Sequence, residues 1–209
     1  IKTVPTYPDP VKELYKAARY KYKFTADGLK QYWSVPLHPS TREITAFWTP
    51  DGLYQYTRLA MGSKNAATVA QNAYTDALNG KLPPRSRDNI ANFADDFVGG
   101  ADTIQDLLVV FEDFLVMCDK AGITLKPSKI HFGVTQCQFY GFNIGHNTIE
   151  PSERNLCPIQ KMSTPQNRSE LRSVMGVFNQ FSNFIKNYSK RGSPASTLNT
   201  LMSTKLLWH

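Results

Sequence analysis

The sequence predicts an α+β fold, in which helices back an antiparallel sheet and a smaller helical part follows. Two observations indicate the sheet. Residues 20–27 alternate between apolar and polar side chains, and a short apolar run lies on each side of the pair Asp95-Asp96. A third observation indicates the helices, because apolar side chains recur at helical spacing over residues 107–115. Helical patterns dominate after the last predicted strand, which divides the chain into 1–147 and 148–209.

The first elements are expected to be a helix, a strand and a hairpin. Asp9 can cap a helix that has Pro10 in its first turn and runs to about Arg19. In the strand that follows, Tyr20, Tyr22, Phe24 and Ala26 form the expected buried face, and Lys21, Lys23, Thr25 and Asp27 share the other face. Asp27 is therefore expected at the end of a strand, on its polar side. Residues 44–48 and 53–58 flank a Pro-Asp-Gly turn and are expected to pair as a hairpin.

The elements that follow are expected to build the rest of the sheet and then the helical part. The alanine-rich residues 64–78 predict a helix, and residues 89–100 predict a second tight hairpin with Asp95 and Asp96 at its turn. Thr103 can cap a helix that ends near Gly122, and short strands continue to about Ile149. The later helices are expected over residues 152–161 and 167–186, with a weaker stretch after Pro194.

Composition narrows the classes of partner. The 209 residues carry a formal net charge of +7, which favours a polyanion such as nucleic acid or an anionic membrane surface. A merely soluble basic protein fits this charge equally well. The three cysteines are far apart and lack a C-x-x-C spacing, which argues against a disulfide framework and a zinc site. No apolar run has the ~20 residues of a membrane helix, and no signal peptide is visible, so we expect an intracellular protein with no membrane partner.

Asp27, Asp95 and Asp96 are the residues best suited to carry chemistry. Enzymes that transfer phosphoryl groups with two metal ions need carboxylates that converge from different chain segments. Magnesium prefers a few carboxylates together with phosphates and water. Because adjacent strand residues point to opposite faces, one of Asp95 and Asp96 should dominate as a ligand. An isolated Asp-Asp pair more often marks a solvated turn, but Phe93 and Phe97 on either side favour carboxylates presented from a packed core.

These residues resemble the reverse transcriptases of gypsy-type LTR retrotransposons, a retroviral-like group of RNA-dependent DNA polymerases. Phe93-Ala94-Asp95-Asp96 looks like the aromatic-x-Asp-Asp signature of that family. The other family motifs stand in the family's order. The first catalytic motif is in 24–27 and 32–37, the hairpin before the second motif in 45–47 and 54–56, and the second motif in 61–71. The fourth motif is in 122–129, the primer-grip hairpin in 139–142, and the thumb in 170–176 and 183–189. Each motif alone is a weak to moderate signal, and their correct order along nearly the whole chain makes the resemblance strong.

The resemblance implies a right-hand polymerase palm with partial fingers over 1–147, and a small helical thumb with the start of the connection over 148–209. It implies that Asp27 and Asp95 bind two Mg²⁺ or Mn²⁺ ions with support from Asp96. It also assigns the substrate-binding residues: Tyr32 excludes a 2′-hydroxyl, Gly62 lets the backbone approach the nucleotide and template, and Gln71 contacts the template or the region of Tyr32. Lys129 protonates the departing pyrophosphate, with Lys126 as the competing candidate. Tyr140 and Gly141 hold the primer end, and the candidates for phosphate contacts are Arg168, Arg172 and Lys186. From the residues alone, Tyr32 fits a core aromatic, Gln71 fits a solvated helix position, and the cations fit exposed surface charge.

The implied function is RNA-directed DNA synthesis on an RNA or DNA template-primer with deoxynucleoside triphosphates. Phe93 stands where the family has tyrosine, and Ala94 is smaller than the usual residue. The finger strands that grip the triphosphate would lie before Ile1, and Trp208 would begin the connection to a ribonuclease H domain. We therefore expect an internal piece of a retroelement polyprotein, resident in a cytoplasmic particle or the nucleus. The alternative is a non-catalytic, domesticated relative that binds nucleic acid or scaffolds a larger assembly.

Overall fold

The computed structural model describes residues 8–163, 165–180 and 182. The chain divides into two compact units, residues 1–152 and 153–209, which we describe separately. The helices of the first unit are Pro10–Ala18 (α1), Gln31–Ser34 (α2), Pro39–Arg42 (α3), Ala66–Lys81 (α4), Pro84–Arg87 (α5) and Ile104–Ala121 (α6), with 3-10 turns at Glu43–Thr45 and Pro127–Lys129. Its strands are Tyr22–Asp27 (β1), Phe47–Thr49 (β2), Gly52–Tyr54 (β3), Ile90–Phe93 (β4), Asp96–Ala101 (β5), His131–Val134 (β6), Cys137–Phe139 (β7), Phe142–Ile144 (β8) and Ile149–Pro151 (β9). In the second unit, the described helices are Glu153–Gln160 (α7) and Arg168–Gln180 (α8).

A four-stranded antiparallel sheet with the order β4-β5-β1-β6 forms the centre of the first unit. Strands β7, β8 and β9 form a separate three-stranded sheet, and β2 and β3 pair as a separate hairpin. The predicted α+β class is confirmed, as is the tight hairpin around the two adjacent aspartates. Within the described part of the chain, no helix combines the length and the apolar character that crossing a membrane demands.

The main core lies between the central sheet and helices α4 and α6. Phe24 and Ala26 of β1 are buried there, together with Phe97 of β5. The helices contribute Tyr74, Leu107, Phe114 and Met117. The buried face predicted for the first strand is confirmed at Phe24 and Ala26, whereas Tyr20 precedes the strand.

Lys23 lies on the same strand face as Asp27, as predicted, but it is completely buried at 0% exposure. Its ammonium donates a hydrogen bond to the carbonyl oxygen of Tyr20 at 2.6 Å. Burial lowers the pKa of Lys23 from its ordinary value, and the nearby Cys137 acts in the opposite direction. The sequence pattern assigned this face its polar character correctly. It did not reveal that Lys23, at the opposite end of the strand from Asp27, is buried by other parts of the protein.

Several element boundaries differ from the predictions. The first hairpin is shorter than predicted because Ile44 belongs to a 3-10 turn that follows α3, so pairing begins only at Phe47. Helix α4 begins and ends later than predicted, at Ala66 and Lys81. Helix α6 has the predicted ends: the Thr103 hydroxyl accepts from the Asp106 N–H, and Gly122 is left-handed. Helices α7 and α8 lie inside the predicted ranges, while the stretch after Pro194 falls outside the described residues.

Candidate active site

The two adjacent aspartates lie at the turn between β4 and β5. Phe93 pairs with Asp96 across this hairpin, so Ala94 and Asp95 form the connection. Ala94 is left-handed with φ +52°, a conformation that is uncommon for a residue with a side chain. The carbonyl oxygen of Asp95 accepts a hydrogen bond from the N–H of Gly28 at 2.7 Å. This bond ties the turn, which we call the acidic turn (residues 93–96), to the end of β1.

Asp27 ends β1 directly opposite Asp96 in the β1–β5 register. Side chains of directly opposite residues in an antiparallel pair lie on the same face of the sheet. The pairing therefore brings Asp96 beside Asp27. Asp95 directly precedes Asp96 in the acidic turn and so lies at the same end of the sheet. A Cβ at the next position, Gly28, would lie 2.8 Å from the Tyr74 hydroxyl, so close packing there requires glycine.

Lys129 forms an ion pair with Asp27, with 2.8 Å between Nζ and Oδ2. The segment that contains Lys129 docks onto the end of β1 through two backbone hydrogen bonds, from the Leu29 N–H to the Thr124 carbonyl and from the Lys126 N–H to the Asp27 carbonyl. Of the two lysines considered for the site, Lys129 is the one whose ammonium is paired with one of the acids. The Asp27 side chain is 15% exposed and that of Lys129 is 55% exposed.

The electrostatics of the site reflect the concentration of negative charge. The pKa of Asp96 is raised by burial first, and then by the carboxylates of Asp95 and Asp27. Lys129 lowers it in part. The hydrogen bond and charge of Asp27 raise the pKa of Lys129. Proton donation near neutral pH would require a lowered pKa, whereas the contact with Asp27 acts on Lys129 in the opposite direction.

The donor set has the chemistry that a divalent cation needs. The three aspartates have carboxylate oxygens, the kind of ligand that hard cations such as Mg²⁺ prefer. In the structure, the positively charged ammonium of Lys129 lies beside the Asp27 carboxylate. Among the residues that the structure describes, however, no three His, Cys, Asp or Glu side chains are grouped closely enough to hold a metal ion. By their chemistry alone, the carboxylates are of the type that a hard divalent cation binds.

Gln71 lies beneath the acidic turn. It is 1% exposed, so the expectation of a solvated helix residue is wrong. Its Oε1 accepts a hydrogen bond from the Ala94 N–H at 2.7 Å, and its Nε2 donates to Oδ1 of Asn92 at 2.8 Å. Gln71 therefore binds helix α4 to the left-handed residue of the turn.

Asn92 extends this buried network, and sequence reasoning missed it. Its Nδ2 donates to the carbonyl oxygens of Ala94 at 3.0 Å and Asp96 at 3.1 Å. Its backbone N–H donates to Oε2 of Glu13 on α1 at 3.0 Å. The signal in the sequence was a polar amide between Ala91 and Phe93 in an otherwise apolar strand, since buried polar groups require partners.

Tyr140 and Gly141 form the turn between β7 and β8, closed by the pair Phe139 and Phe142. Both turn residues have positive φ, +49° and +77°. The Tyr140 ring contacts the Phe93 ring of the acidic turn, with 4.1 Å between ring centroids. The structure thus places the predicted primer-end residues against the turn that contains two of the predicted metal ligands.

Tyr32 and Gly62 belong to a second, smaller cluster. Tyr32 packs against Leu59, Ala66 and Ala70, partly buried as the core interpretation expected. Gly62 has φ +87°, and a Cβ there would meet nothing within 4 Å, so the backbone conformation and not crowding requires glycine.

The predicted phosphate contacts lie in the second unit. Arg168 and Arg172 both belong to α8, where residues four apart lie on one face. Arg172 is exposed and Arg168 is partly buried. Lys186 lies outside the described residues, as does Trp208.

Comparison with known proteins identifies the family. A sequence profile described as reverse transcriptase (RNA-dependent DNA polymerase) matches residues 2–144. The chain is 30% identical over 203 residues to the retrovirus-related Pol polyprotein from transposon opus of Drosophila melanogaster. That match covers 94% of this chain and 19% of the polyprotein, so the chain spans about a fifth of its relative.

Two solved structures share the fold. The foamy viral protease-reverse transcriptase dRH in complex with double-stranded DNA is 25% identical, with a TM-score of 0.80 over 99% of this chain and 35% of that one. The foamy viral protease-reverse transcriptase in complex with an RNA/DNA hybrid is 25% identical, with a TM-score of 0.74 over 99% of this chain and 28% of that one. These matches confirm the predicted α+β polymerase palm.

Proposed function

Because the chain belongs to the reverse transcriptase (RNA-dependent DNA polymerase) family, we propose that it is the palm-and-thumb part of a polyprotein that copies a nucleic-acid template into DNA. The similarity to the transposon opus polyprotein, together with the motif order, supports an LTR retrotransposon of the gypsy type. The proposed palm and partial fingers occupy 1–147, and the proposed thumb and start of the connection occupy 148–209.

One observation carries this proposal: three acids and one lysine from distant chain segments lie at the same end of the central sheet. Asp27 ends β1, Asp96 begins β5 opposite it, Asp95 lies in the acidic turn, and Lys129 is paired with Asp27. A fold gains no stability from gathering three carboxylates, since each raises the cost of ionising the others. Such clusters are typical of functional sites.

We assign the proposed metal ligands to Asp27, Asp95 and Asp96. Two bound Mg²⁺ or Mn²⁺ ions would supply activation of the primer 3′-hydroxyl and neutralisation of charge on the transferred phosphate. The protein's contribution is to hold the carboxylates in place, through the Gly28 hydrogen bond to Asp95 and the Gln71 hydrogen bond to Ala94. Asp96 stands opposite Asp27 in register, which supports a larger part for Asp96 than the family resemblance assigned.

Lys129 has two proposed roles. In the structure its ammonium is paired with Asp27, with 2.8 Å between Nζ and Oδ2. Lys129 is the proposed donor of a proton to the departing pyrophosphate, a role that would require it to lose the contact with Asp27 that raises its pKa.

The proposed substrates are a deoxynucleoside triphosphate and an RNA or DNA template-primer. Tyr32 and Gly62 are assigned to the nucleotide, and Tyr140 and Gly141 to the primer end. Arg168 and Arg172 are assigned to backbone phosphates, consistent with the chain's net charge of +7. The related foamy viral structures contain double-stranded DNA and an RNA/DNA hybrid, which supports both kinds of duplex as ligands.

Primer extension on an RNA template with Mg²⁺ tests this function. We expect the native chain to extend a labelled DNA primer and Asp95→Asn to lose about 10²–10³-fold of this activity, the loss typical when one electrostatic contribution to a transition state is removed. Asp51→Asn, in the exposed turn between β2 and β3, is the matched control and should extend like the native chain.

Full extension by Asp95→Asn would contradict the proposed metal site. Extension only when the preceding finger strands are added would restrict the proposal to the longer polyprotein. Salt-dependent binding of the duplex without extension in either form would favour a scaffold in place of an enzyme.

A further inference from the structure

Strand β4, which leads into the acidic turn, lies at one edge of the central sheet. The sheet order is β4-β5-β1-β6, so the outward-facing backbone groups of β4 have no partner strand among the described residues. On its inner side, Asn92 of β4 pairs with Phe97 of β5. The Asn92 N–H donates instead to the side chain of Glu13 on α1, with 3.0 Å between N and Oε2. A helix side chain therefore takes the place of a neighbouring strand at this residue.

Helix α1 is itself fixed against this edge of the sheet. It packs against β4, and its buried residues are Leu14, Ala17 and Ala18. One turn after Glu13, the ammonium of Lys16 donates to the carbonyl oxygen of Arg87 at 2.8 Å. Arg87 precedes β4 in the chain and Asn92 lies near its end, so α1 holds the strand from both ends.

The hydrogen bond of Glu13 is linked to the acids through the Asn92 side chain. Its Nδ2 donates to the carbonyl oxygens of Ala94 and Asp96, and its Oδ1 accepts from Gln71. Asn92 therefore has its backbone fixed by α1 and its side chain fixed to the acidic turn. A shift of its backbone would move the two carbonyl groups that flank Asp95.

The surroundings of Asn92 leave room for such a shift. A cavity of about 180 Å³ lies beside the bond, and its lining includes Glu13, Asn92, Thr75 and Leu78. Protein interiors are otherwise close-packed, and close packing opposes small displacements. At this place neither a partner strand nor a filled interior fixes the backbone of β4, which leaves the task to the hydrogen bond with Glu13.

A carboxylate is an unfavourable group for this place unless its hydrogen bond repays the cost. Glu13 is partly buried, and burial raises its pKa. The hydrogen bond from Asn92, and after it the charge of Lys16, lower the pKa in part. A hydrogen bond to a charged acceptor is stronger than one between neutral groups. The bond that offsets the cost of burying Glu13 is thus also the bond that fixes β4.

We infer that Glu13 is a positioning residue for nucleotide transfer, which fixes the end of β4 through the Asn92 N–H and thereby holds Asp95 and Asp96 in place. This inference deepens the proposed function and rests on it. It gives a role to α1, a helix that contains none of the proposed site residues. Loss of a group that orients metal-binding carboxylates typically costs about tenfold to a hundredfold in metal affinity or activity.

Three substitutions separate the hydrogen bond of Glu13 from its charge. Glu13→Leu removes the acceptor, Glu13→Gln keeps an acceptor oxygen without the charge, and Glu13→Asp keeps the charge on a shorter side chain. In single-nucleotide addition, we expect kcat of Glu13→Leu to fall by about tenfold to a hundredfold. The Mg²⁺ concentration for half-maximal rate should rise, while KM for the primer–template stays close to the native value. Glu13→Gln should recover most of the loss, and Glu13→Asp should lie between.

A second measurement depends neither on metal nor on activity. In the metal-free chain, amide hydrogen exchange followed by NMR reports how often the acidic turn opens. The Ala94 amide should exchange about tenfold faster in Glu13→Leu than in the native chain, the effect of losing one hydrogen bond. This increase should exceed that of the α6 amides, which report on the fold as a whole.

Two further variants provide the control and the test of coupling. Glu112→Leu, at an exposed position of α6, should leave both the kinetics and the exchange unchanged. Gln71→Met acts on the same turn from the other side. Because the two residues share the Asn92 network, the variant with both Glu13→Leu and Gln71→Met should lose less rate than the product of the two single losses.

The outcomes distinguish this inference from the function on which it rests. If the native chain does not extend a primer, the proposed function fails and the inference falls with it. If the native chain extends a primer and folded Glu13→Leu has the native rate and Mg²⁺ requirement, the function stands and the positioning role is wrong. An equal increase in exchange at Ala94 and throughout α6 would show that Glu13 only stabilises the fold. Should Glu13→Leu not fold, a native rate and Mg²⁺ requirement in Glu13→Asp would overturn the inference.

Discussion

At the scale of single residues, the site is defined as much by buried amides as by its acids. Gln71 and Asn92 together satisfy the N–H and the carbonyl of Ala94, the left-handed residue at the acidic turn. That conformation is costly for a residue with a side chain. The amides therefore stabilise the backbone shape that presents Asp95 and Asp96, two of the proposed metal ligands.

A substitution of Gln71 by methionine tests this role. The new side chain fills similar space but leaves the Ala94 N–H and the Asn92 Oδ1 without their buried partner. We expect the free energy of unfolding to fall by about 1–3 kcal/mol, and the rate of nucleotide incorporation to fall with it. Urea unfolding and single-nucleotide addition measure the two effects.

Gln105→Met is the matched control, because Gln105 is exposed on α6. Its free energy of unfolding should stay within about 0.5 kcal/mol of the native value. Equal unfolding midpoints for the two variants would show that the buried amide contributes nothing to the turn.

At the scale of elements, the close pairing of β1 with β5 decides where the acids lie. Gly99 pairs directly with Phe24, and a Cβ on Gly99 would collide with the Phe24 ring. The absence of a side chain at Gly99 lets Phe24 fold over β5 into the core beside Phe114. The same register, followed to its end, sets Asp27 opposite Asp96.

We predict that Gly99→Ala destabilises the fold by about 1–3 kcal/mol, as overpacking of a filled core does. Gly80→Ala is the control, because Gly80 lies in α4 and a Cβ there would meet nothing within 4 Å. Alanine at that position should be neutral or stabilising by up to about 1 kcal/mol, through its helix propensity. The midpoints of denaturant unfolding measure both changes. A midpoint for Gly99→Ala at or above that of Gly80→Ala would contradict the packing argument.

At the scale of the whole molecule, local patterns predicted the elements well and the contacts between distant elements less well. Local patterns were sufficient to predict β1 and α6: the alternation in β1, and in α6 the spacing of the apolar residues and the caps at Thr103 and Gly122. Each of these patterns depends only on residues that are close together in the sequence. The three aspartates could be selected because motifs in a fixed order resemble those of a known family. No single pattern in the chain would have selected them.

What the sequence did not reveal depends on contacts between distant segments. The burial of Gln71 was hidden because alanine-rich α4 shows little contrast between its faces. The burial of Lys23 could not be predicted, because an alternating pattern shows which residues share a face of the strand but not which other segments pack against that face. The contact of Phe93 with Tyr140 joins residues that are far apart in the chain and belong to two separate sheets.

The central claim is that Asp27, Asp95 and Asp96 act through divalent ions, and a metal-dependent rate of single-nucleotide addition tests it most directly. The rate is measured for the native chain, Asp27→Asn and Asp27→Glu over increasing Mg²⁺ and, separately, Mn²⁺. We expect a saturating rise for the native chain with either ion, and no rise for Asp27→Asn, which lacks the charge of a ligand. Asp27→Glu, whose carboxylate is displaced, should respond to Mn²⁺ better than to Mg²⁺, which demands near-ideal geometry. A native rate in Asp27→Asn with either ion would contradict the account.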